Sequence, residues 1–373
     1  MFDVVLVGCF GYPNFGDEML LKAWLDSIFA ERQNASVVVE CHVPGNAEAI
    51  LGNYDHHVIY QDVLWRIAWA QDGTCQELIK RGIDAIENYS EYSSSLRFML
   101  RRIFNAKAIH FIGGGYFRSG WDKHFAVIGE ALAIKRKSKC VLTMSGQGFF
   151  PYNEEYISIF KAALNNFEHI SVRDRRSFEL IHEVANVEKE CTIDDTFLFD
   201  KSPLSATEDN TSGRLIVCMQ NDIKNNLIHN YLYDKVVRYS NLYELPIYVL
   251  EFCPRHDFEV VDLLRIIRPI YKVSFEQLFN REFCISRNDI CIGTRYHFHL
   301  LAARAGARGI FGSADEYYGI KHDSILDLGS EWQNVDLYHY SLPELKFPRI
   351  NNQELCEMKK KEFRSIIDIW TST

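Results

Sequence analysis

One pattern constrains this chain more than any other. Short apolar runs repeatedly end in glycine or polar clusters and then pass into helical stretches. The clearest instance is Asp289 to Leu301, DICIGTRYHFHLL. Asp289 to Gly293 reads as a short buried strand, the chain turns at Gly293-Thr294, and Leu300 to Ala303 continues a helix. Arg295 and His297 therefore fall where a strand hands over to a helix. In open α/β sheets, ligands bind at the carboxyl ends of the strands. A helix N-terminus there adds N–H groups and partial positive charge, which suit anions. Arg295 offers a planar donor for carboxylate or phosphate, and His297 a proton carrier near neutral pH. The plainer alternative is equally open on this stretch alone: Arg295 caps a carbonyl, and His297 is an ordinary half-buried histidine.

The same handover recurs along the chain. Asp3 to Cys9 is the first expected strand, followed by the glycine-punctuated loop GCFGYPNFGDE and a helix with Leu20, Leu21, Trp24, Leu25 and Ile28 at helical spacing. That loop fits neither a dinucleotide fingerprint nor a Walker A loop, so it implies neither ligand. Asp17 and Glu18 suit the dipole of the helix they open; the sharper role for Asp17 is an acid or base facing a cleft. Further strands are expected at Ala35–Val43, at Ala108–Ile112 before Gly113-Gly114-Gly115, at Cys140–Met144 before Ser145-Gly146-Gln147-Gly148, and at Ile170–Val172 before Arg173-Asp174. Glycine triplets let backbone approach a ligand or another chain segment. Polar clusters after strand upon strand argue for one cleft lined by strand ends.

Asp62 to Phe104 breaks the alternation. It is helix-like and rich in arginine and aromatic residues, and reads as a helical insertion at about 61–105 in an N-terminal domain of residues 1–200. Arg97, Arg101 and Arg102 are expected on a solvated face, with contact to an acidic substrate as the minority reading. Lys201 to Gly213, KSPLSATEDNTSG, has linker composition. A second α/β domain is expected over 214–345, with strands Leu215–Met219, Ile247–Phe252, Ile290–Gly293 and Arg308–Phe311 and helices near Leu227–Ser240 and Phe258–Ile267. In the last segment, 346–373, Asn351 and Glu354 have capping-box spacing before an amphipathic helix, Leu355–Trp370, that would pack back on the first domain.

A chain of 373 residues suits two domains. The formal charge of -9 argues against a dedicated nucleic-acid binder. Ten cysteines occur without a CxxC pair, as in a reduced protein. No run reaches membrane-span length, and the first residues lack a basic leader, so the expected location is cytoplasmic. No metal site is expected: adjacent Asp194 and Asp195 would diverge on a strand.

Five segments together resemble the polysaccharide pyruvyl transferase family: GYPNFGDE (Gly11–Glu18), GGGYF (Gly113–Phe117), SGQGFFP (Ser145–Pro151), VRDRRSFELI (Val172–Ile181) and GTRYHFHLLAARAGARGI (Gly293–Ile310). The family's R-x-H element falls on Arg295 and His297, its arginine–aspartate element on Arg173 and Asp174, and its late lysine on Lys321. The sequence departs from the family pattern at Tyr116-Phe117-Arg118 and around DEYYGIKHD.

The resemblance implies two Rossmann-like domains facing across a cleft, as in GT-B glycosyltransferases. It also implies transfer of pyruvate from phosphoenolpyruvate to a sugar of a cell-surface glycan or its lipid-linked precursor, as a ketal. No redox cofactor is required. Under this reading Arg295, Arg173 and Lys321, with Gly113, Gly114 and Gly146, bind phosphoenolpyruvate. His297 is the first acid/base candidate, Asp17 the second, and His299 ranks lower. Asn14, Arg118 and Gln147 are the acceptor-side candidates. The same sequence leaves open a nucleotide-sugar glycosyltransferase and a catalytically silent glycan- or anion-binding protein. Oligomeric state, acceptor sugar and ketal stereochemistry are not encoded in these motifs.

Overall fold

A computed structural model of the chain describes residues 2–188, 193–207, 213–220, 226–254, 256–264, 269–313, 315–335 and 341–372. Among these, the strands form two six-stranded sheets. The first contains β1 Phe2–Val7, β2 Val37–Glu40, β3 Val58–Gln61, β4 Ala106–Phe111, β5 Val141–Gln147 and β6 His169–Val172. The second contains β7 Leu215–Cys218, β8 Ile247–Leu250, β9 Ile270–Val273, β10 Ile290–Gly293, β11 Arg308–Phe311 and β12 Gln333–Asn334. Their orders are β3-β2-β1-β4-β5-β6 and β12-β11-β10-β7-β8-β9, with parallel pairing throughout. Renumbered from its own first strand, each sheet has the doubly wound Rossmann order. Strand order reverses between β1 and β4 in one and between β7 and β10 in the other, and such reversals open the crevices where ligands bind.

The strands read as apolar runs because helices cover both faces of a parallel sheet. Val4 to Val7 and Ile290 to Gly293 are buried at every position. The chain divides into two compact units: unit 1 comprises Met1–Tyr12, Asp17–Leu198 and Glu357–Thr373, and unit 2 comprises Pro13–Gly16 and Phe199–Cys356. The short loop before the first long helix thus belongs with the second sheet.

In unit 1 the stretch expected as a helical insertion forms the crossover between β3 and β4. Its helices, Val63–Trp69, Cys75–Glu87 and Ser94–Phe104, bury Trp65, Leu78, Ile86, Leu100 and Ile103 in the unit's core. Helix Cys75–Glu87 packs closely on helix Phe125–Ser138 because each supplies a glycine at the crossing. A Cβ on Gly82 would lie 2.1 Å from the Ala126 carbonyl oxygen, and one on Gly129 would lie 1.9 Å from that of Ile79.

The C-terminal helix, Asn352–Thr371, sends Lys359, Glu362 and Trp370 into unit 1. Asn351 caps it, accepting from the Glu354 N–H and donating to the Glu354 carboxylate. In unit 2 the stretch expected as a helix over Phe258–Ile267 is a 3-10 turn, Asp257–Glu259, followed by helix Val260–Leu264; residues 265–268 lie outside the described set. Of the linker-like stretch 201–213, residues 208–212 lie outside it too. The described part packs on unit 2, with Leu204 buried and Ser202 Oγ donating to the Leu301 carbonyl. No helix among the described residues is long and apolar enough to cross a membrane.

Candidate functional site

Unit 2 builds its site at the β7/β10 reversal. Gly293 ends β10, and a Cβ there would lie 2.4 Å from the Cys218 carbonyl oxygen, so only glycine lets the two strand ends run this close. The Thr294 N–H donates to that carbonyl, and Thr294 Oγ1 accepts from the Gln220 N–H. Arg295 is then the N-cap of helix Tyr296–Arg304. Its guanidinium lies on the Asp257 carboxylate, with Nε at 2.9 and 2.8 Å from the two oxygens and Nη2 at 2.5 Å from Oδ1. Asp257 also accepts from the Phe252 and Cys253 N–H groups. Burial pushes its carboxyl up, and the Arg295 charge pulls against that. The guanidinium is thus held in one orientation by a bidentate partner 38 residues away.

His297 is 8% exposed and lies against the Pro13–Gly16 loop. A Cβ on Gly16 would sit 1.8 Å from His297 Nδ1 and 2.3 Å from Cγ. The glycine of the FGDE motif therefore makes room for the imidazole of the R-x-H motif. The loop is anchored by Phe15, whose N–H donates to the Phe252 carbonyl and whose ring packs 4.7 Å from that of Phe252. Asn14 Oδ1 accepts from the Gly16 N–H at 3.3 Å, so it shapes the same turn.

Lys321 lies on helix Glu316–Asp327, after β11. Its ammonium donates to the Tyr317 hydroxyl and sits 3.8 Å from that ring's centre. Tyr318 is bonded to Gln220 Nε2 at 3.2 Å, and His322 Nε2 donates to the Thr294 carbonyl at 3.1 Å. The helix bearing Lys321 is thereby tied to the turn bearing Arg295. His299 points elsewhere, into the core, on a chain of bonds that fixes its tautomer. His322 Nδ1 must accept from His299 Nδ1–H, and His299 Nε2 then accepts from Ser330. Burial keeps both rings neutral, holding His322 down to about 4 and His299 well below the usual range.

Unit 1 arranges its strand ends differently. Asp195 is fully buried, and Trp24 Nε1 (2.9 Å), Gly113 N (3.1 Å) and Ser145 Oγ (2.6 Å) all donate to its Oδ2. Lys359 lies 2.5 Å from its Oδ1. Gly113, Gly114 and Gly146 serve this packing. The Gly146 N–H donates to Ser171 Oγ, and a Cβ on Gly146 would lie 2.7 Å from Asp195 Oδ1. A Cβ on Gly114 would meet the Tyr116 ring at 2.6 Å. The amides of Gly113 and Gly146 thus already have internal acceptors.

Gln147 is also a packing residue, donating from Nε2 to the Phe111 and Ile112 carbonyls. Arg173 is 4% exposed and pairs with Asp194 at 2.9 Å. Asp174 caps helix Arg175–Ile181 through the Ser177 N–H. Asp194 and Asp195 lie not on the expected strand but at the start of the 3-10 turn Asp195–Leu198; Asp194 pairs with Arg173 and Asp195 with Lys359. Arg118 is half-buried and lies over the Trp121 ring, 4.8 Å from its centre.

Asp17 is half-buried in the first turn of helix Phe15–Glu31; burial, with the Asp17 charge beside it, disfavours ionisation of Cys9 and Glu18. Glu18, not singled out from the sequence, is fully buried. Its carboxyl accepts from the Gly11 N–H, and burial pushes it up to about 8. The FGDE spacing marked Glu18 only as a first-turn acid. Asp257 carried no signal at all, since its role depends on a fold contact with Arg295.

The model of the polysaccharide pyruvyl transferase family matches residues 14–311, from the Asn14 turn to the end of β11. The chain belongs to the polysaccharide pyruvyl transferase family. The match takes in Gly16, Arg173, Asp257, Arg295 and His297, and stops short of Lys321. No curated protein matches the chain significantly.

Solved structures resemble this pyruvyl transferase family member in fold. The UDP-GlcNAc 2-epimerase of Methanocaldococcus jannaschii, in complex with UDP-GlcNAc and UDP, aligns at TM-score 0.53 and 11% identity over 97% of this chain and 98% of its own. That of Neisseria meningitidis, bound to UDP-GlcNAc, aligns at 0.53 and 11% over 98% and 93%. The fold class is therefore that of GT-B enzymes, with two Rossmann-like units. At this identity the likeness speaks to fold alone.

Proposed function

We propose that this transferase moves pyruvate from phosphoenolpyruvate onto a sugar of a cell-surface polysaccharide or of its lipid-linked precursor, as a cyclic ketal. The observation that carries this reading is the seating of His297 on Gly16 beside the fixed Arg295, inside a family match that covers most of the chain. The donor bears a phosphate and a carboxylate. Arg295 and Lys321, at the strand ends of unit 2, are the cations assigned to it, helped by the N-terminus of helix Tyr296–Arg304. Arg173, buried on Asp194, contributes positive charge to unit 1 and holds the turn after β6.

In this mechanism a proton is delivered to the methylene carbon of phosphoenolpyruvate, making the methyl group and an oxocarbenium-like centre. One sugar hydroxyl attacks that centre. Phosphate then leaves, and a second hydroxyl closes the ring. Of the two hydroxyl protons, one replaces that given to carbon and the other leaves with phosphate. His297 is the assigned acid/base group and Asp17 the base on the acceptor side. Asn14 and Arg118 remain acceptor-side residues, whereas Gln147, held by two backbone carbonyls, supports the loop. The reaction needs no redox cofactor. Such a protein would work in the cytoplasm, at the inner membrane face where the acceptor is lipid-borne.

The rival reading is a nucleotide-sugar enzyme, favoured by the UDP-bound epimerases of the same fold. Calorimetric titration with phosphoenolpyruvate beside UDP and GDP separates the two. Binding of phosphoenolpyruvate alone, lost in Lys321→Met, is expected. Binding of a nucleotide alone would overturn the proposal. His297→Ala should keep donor binding and lose turnover; a fully active His297→Ala protein would remove that residue from the mechanism.

A further inference from the structure

A cluster in unit 1 takes no part in the chemistry above. Cys9 follows β1, His42 follows β2, and His124 ends the 3-10 turn Asp122–His124 beyond the glycine loop of β4. A metal-binding atom from each lies within 4.8 Å of those of the other two. All three thus sit at the carboxyl end of the sheet, around the β1/β4 reversal.

The hydrogen bonds around the cluster point to a missing electrophile. Both ring nitrogens of His42 are buried, with no hydrogen-bond partner among the described residues. A buried polar group left this way costs about 1–3 kcal/mol. His124 is oriented as metal-bound histidines are, with Nδ1–H donating to the Tyr116 carbonyl at 2.8 Å. That fixes the tautomer and leaves the lone pair on Nε2. Burial keeps both rings neutral, His42 down to about 3 and His124 to about 4, and neutral imidazole is the ligating form. A shell of rings surrounds them. Trp65 lies 4.1 Å from His42 and 5.1 Å from His124, and Trp69 and Trp121 lie 5.8 and 5.2 Å from His124. Such a shell governs solvent access to a bound ion.

We propose that Cys9, His42 and His124 form a three-ligand site for a divalent transition metal of the zinc class. One thiolate and two imidazoles are the donor set that such borderline ions prefer over hard cations. Three protein ligands leave a fourth position open for water or an anion. Burial and the Asp17 charge hold the Cys9 thiol protonated without metal. Binding therefore forms a sulfur–metal bond and releases that proton to solvent. The site is independent of the pyruvyl-transfer reading and would persist if that reading failed.

The test is a cobalt(II) titration of the full-length, tag-free, reduced protein after chelator treatment. One equivalent should bind with the visible absorption of four-coordinate cobalt and a near-ultraviolet thiolate band, and zinc should displace it. Cys9→Ser should remove the thiolate band. His42→Gln should weaken binding by more than the roughly 10- to 100-fold cost of losing an outer partner. Zinc should raise the melting temperature of the wild type and not of either variant. Absence of cobalt binding by the wild type overturns the proposal, as does a thiolate band that survives Cys9→Ser. If Cys9→Ser fails to fold by circular dichroism, His124→Gln replaces it: unchanged affinity in that variant also overturns the proposal.

Discussion

The two units share a strand order and differ in what they bury at the reversal point. Unit 1 buries a carboxylate, Asp195, and surrounds it with Trp24, Gly113, Ser145 and Lys359. Unit 2 places a cation there, Arg295, and steadies it with Asp257. A carboxylate so enclosed serves as a girder, joining strands, glycine turns and the C-terminal helix. A guanidinium at a helix N-terminus on a strand end is a ready anion site. Identical topology thus yields a brace in one unit and a binding group in the other, because fold fixes where a site forms and side chains fix what it does.

The sharpest way to break this contrast is Lys359→Ala. Lys359 is 1% exposed and faces both Asp195 and Glu362. Although burial opposes ionisation, Lys359 and His169 hold the Glu362 carboxyl well below the usual range. Removing the lysine strands buried negative charge, at a cost of about 3–5 kcal/mol. Urea denaturation should show that loss, and Lys359→Met with Asp195→Asn and Glu362→Gln should recover most of it. In unit 2, Arg295→Ala should likewise destabilise. There Asp257→Asn should restore folding without restoring donor binding. If Lys359→Ala left stability intact and removed donor binding, the brace would be a site.

Gly16→Ala should act on catalysis with little effect on the fold. The added methyl would collide with the His297 ring. Displacement of about 1 Å can cost roughly 100-fold in rate. The expected result is a kcat fall of about that size with donor affinity near the wild-type value. Unchanged kcat would show that the imidazole position does not matter.

Those contacts mark where the sequence was legible. The Asp289–Leu301 pattern placed Arg295 and His297 at a strand-to-helix turn, because a buried four-residue strand and an apolar helix both leave local signals. The strand ends at Gly113 and Gly146 were legible for the same reason, but their purpose was not. Whether a glycine admits a ligand or a neighbouring carboxylate depends on Asp195, 82 residues from Gly113. Asp257 and Lys359 were invisible for that reason too, each known only by its partner. β3, β9 and β12 were missed: Val58–Gln61, Ile270–Val273 and Gln333–Asn334 are short, mostly half-exposed or exposed runs at sheet edges, with weak patterning. Cys9, His42 and His124 carry no motif because three separate turns supply them.

The two units should also part company with pH. In unit 2, His322 ionises at about 4 in the fold and near 6.5 unfolded. Between those values the unfolded chain holds more protons, so unit 2 loses stability as pH falls from about 6.5 towards 4. In unit 1, Glu18 and Glu40 ionise at about 8 in the fold and near 4.5 unfolded. There the folded chain holds more protons, which lowers stability as pH rises. His42 and His124, held at about 3 and 4 in the fold, act the other way below about 6.5, so the net loss in unit 1 falls between about 6.5 and 8. Hydrogen exchange resolved by peptide should show faster opening of β10 and β11 as pH falls below about 6.5, and faster opening of β1 and β2 as it rises from about 6.5 to 8. A change in both units over the same window would refute this assignment of buried acids and bases.

The finest test concerns the end of the histidine chain. Ser330 is fully buried, and its hydroxyl donates to His299 Nε2. Ser330→Ala removes one neutral hydrogen bond and leaves the imidazole acceptor unmet, so the expected loss is about 1 kcal/mol. The tautomer gives this small number its use. With Ser330 gone, His299 Nε2 can be satisfied by a proton from solvent, so its ionisation should rise and the acid-side slope of unit 2 should become shallower. A stability loss of that size with an unchanged slope would mean that His299 is already protonated on Nε2. The Thr294 carbonyl can only accept, so His322 would still donate to it and accept from His299 Nδ1–H; His299 would then be a buried imidazolium that donates from Nε2 to Ser330 Oγ.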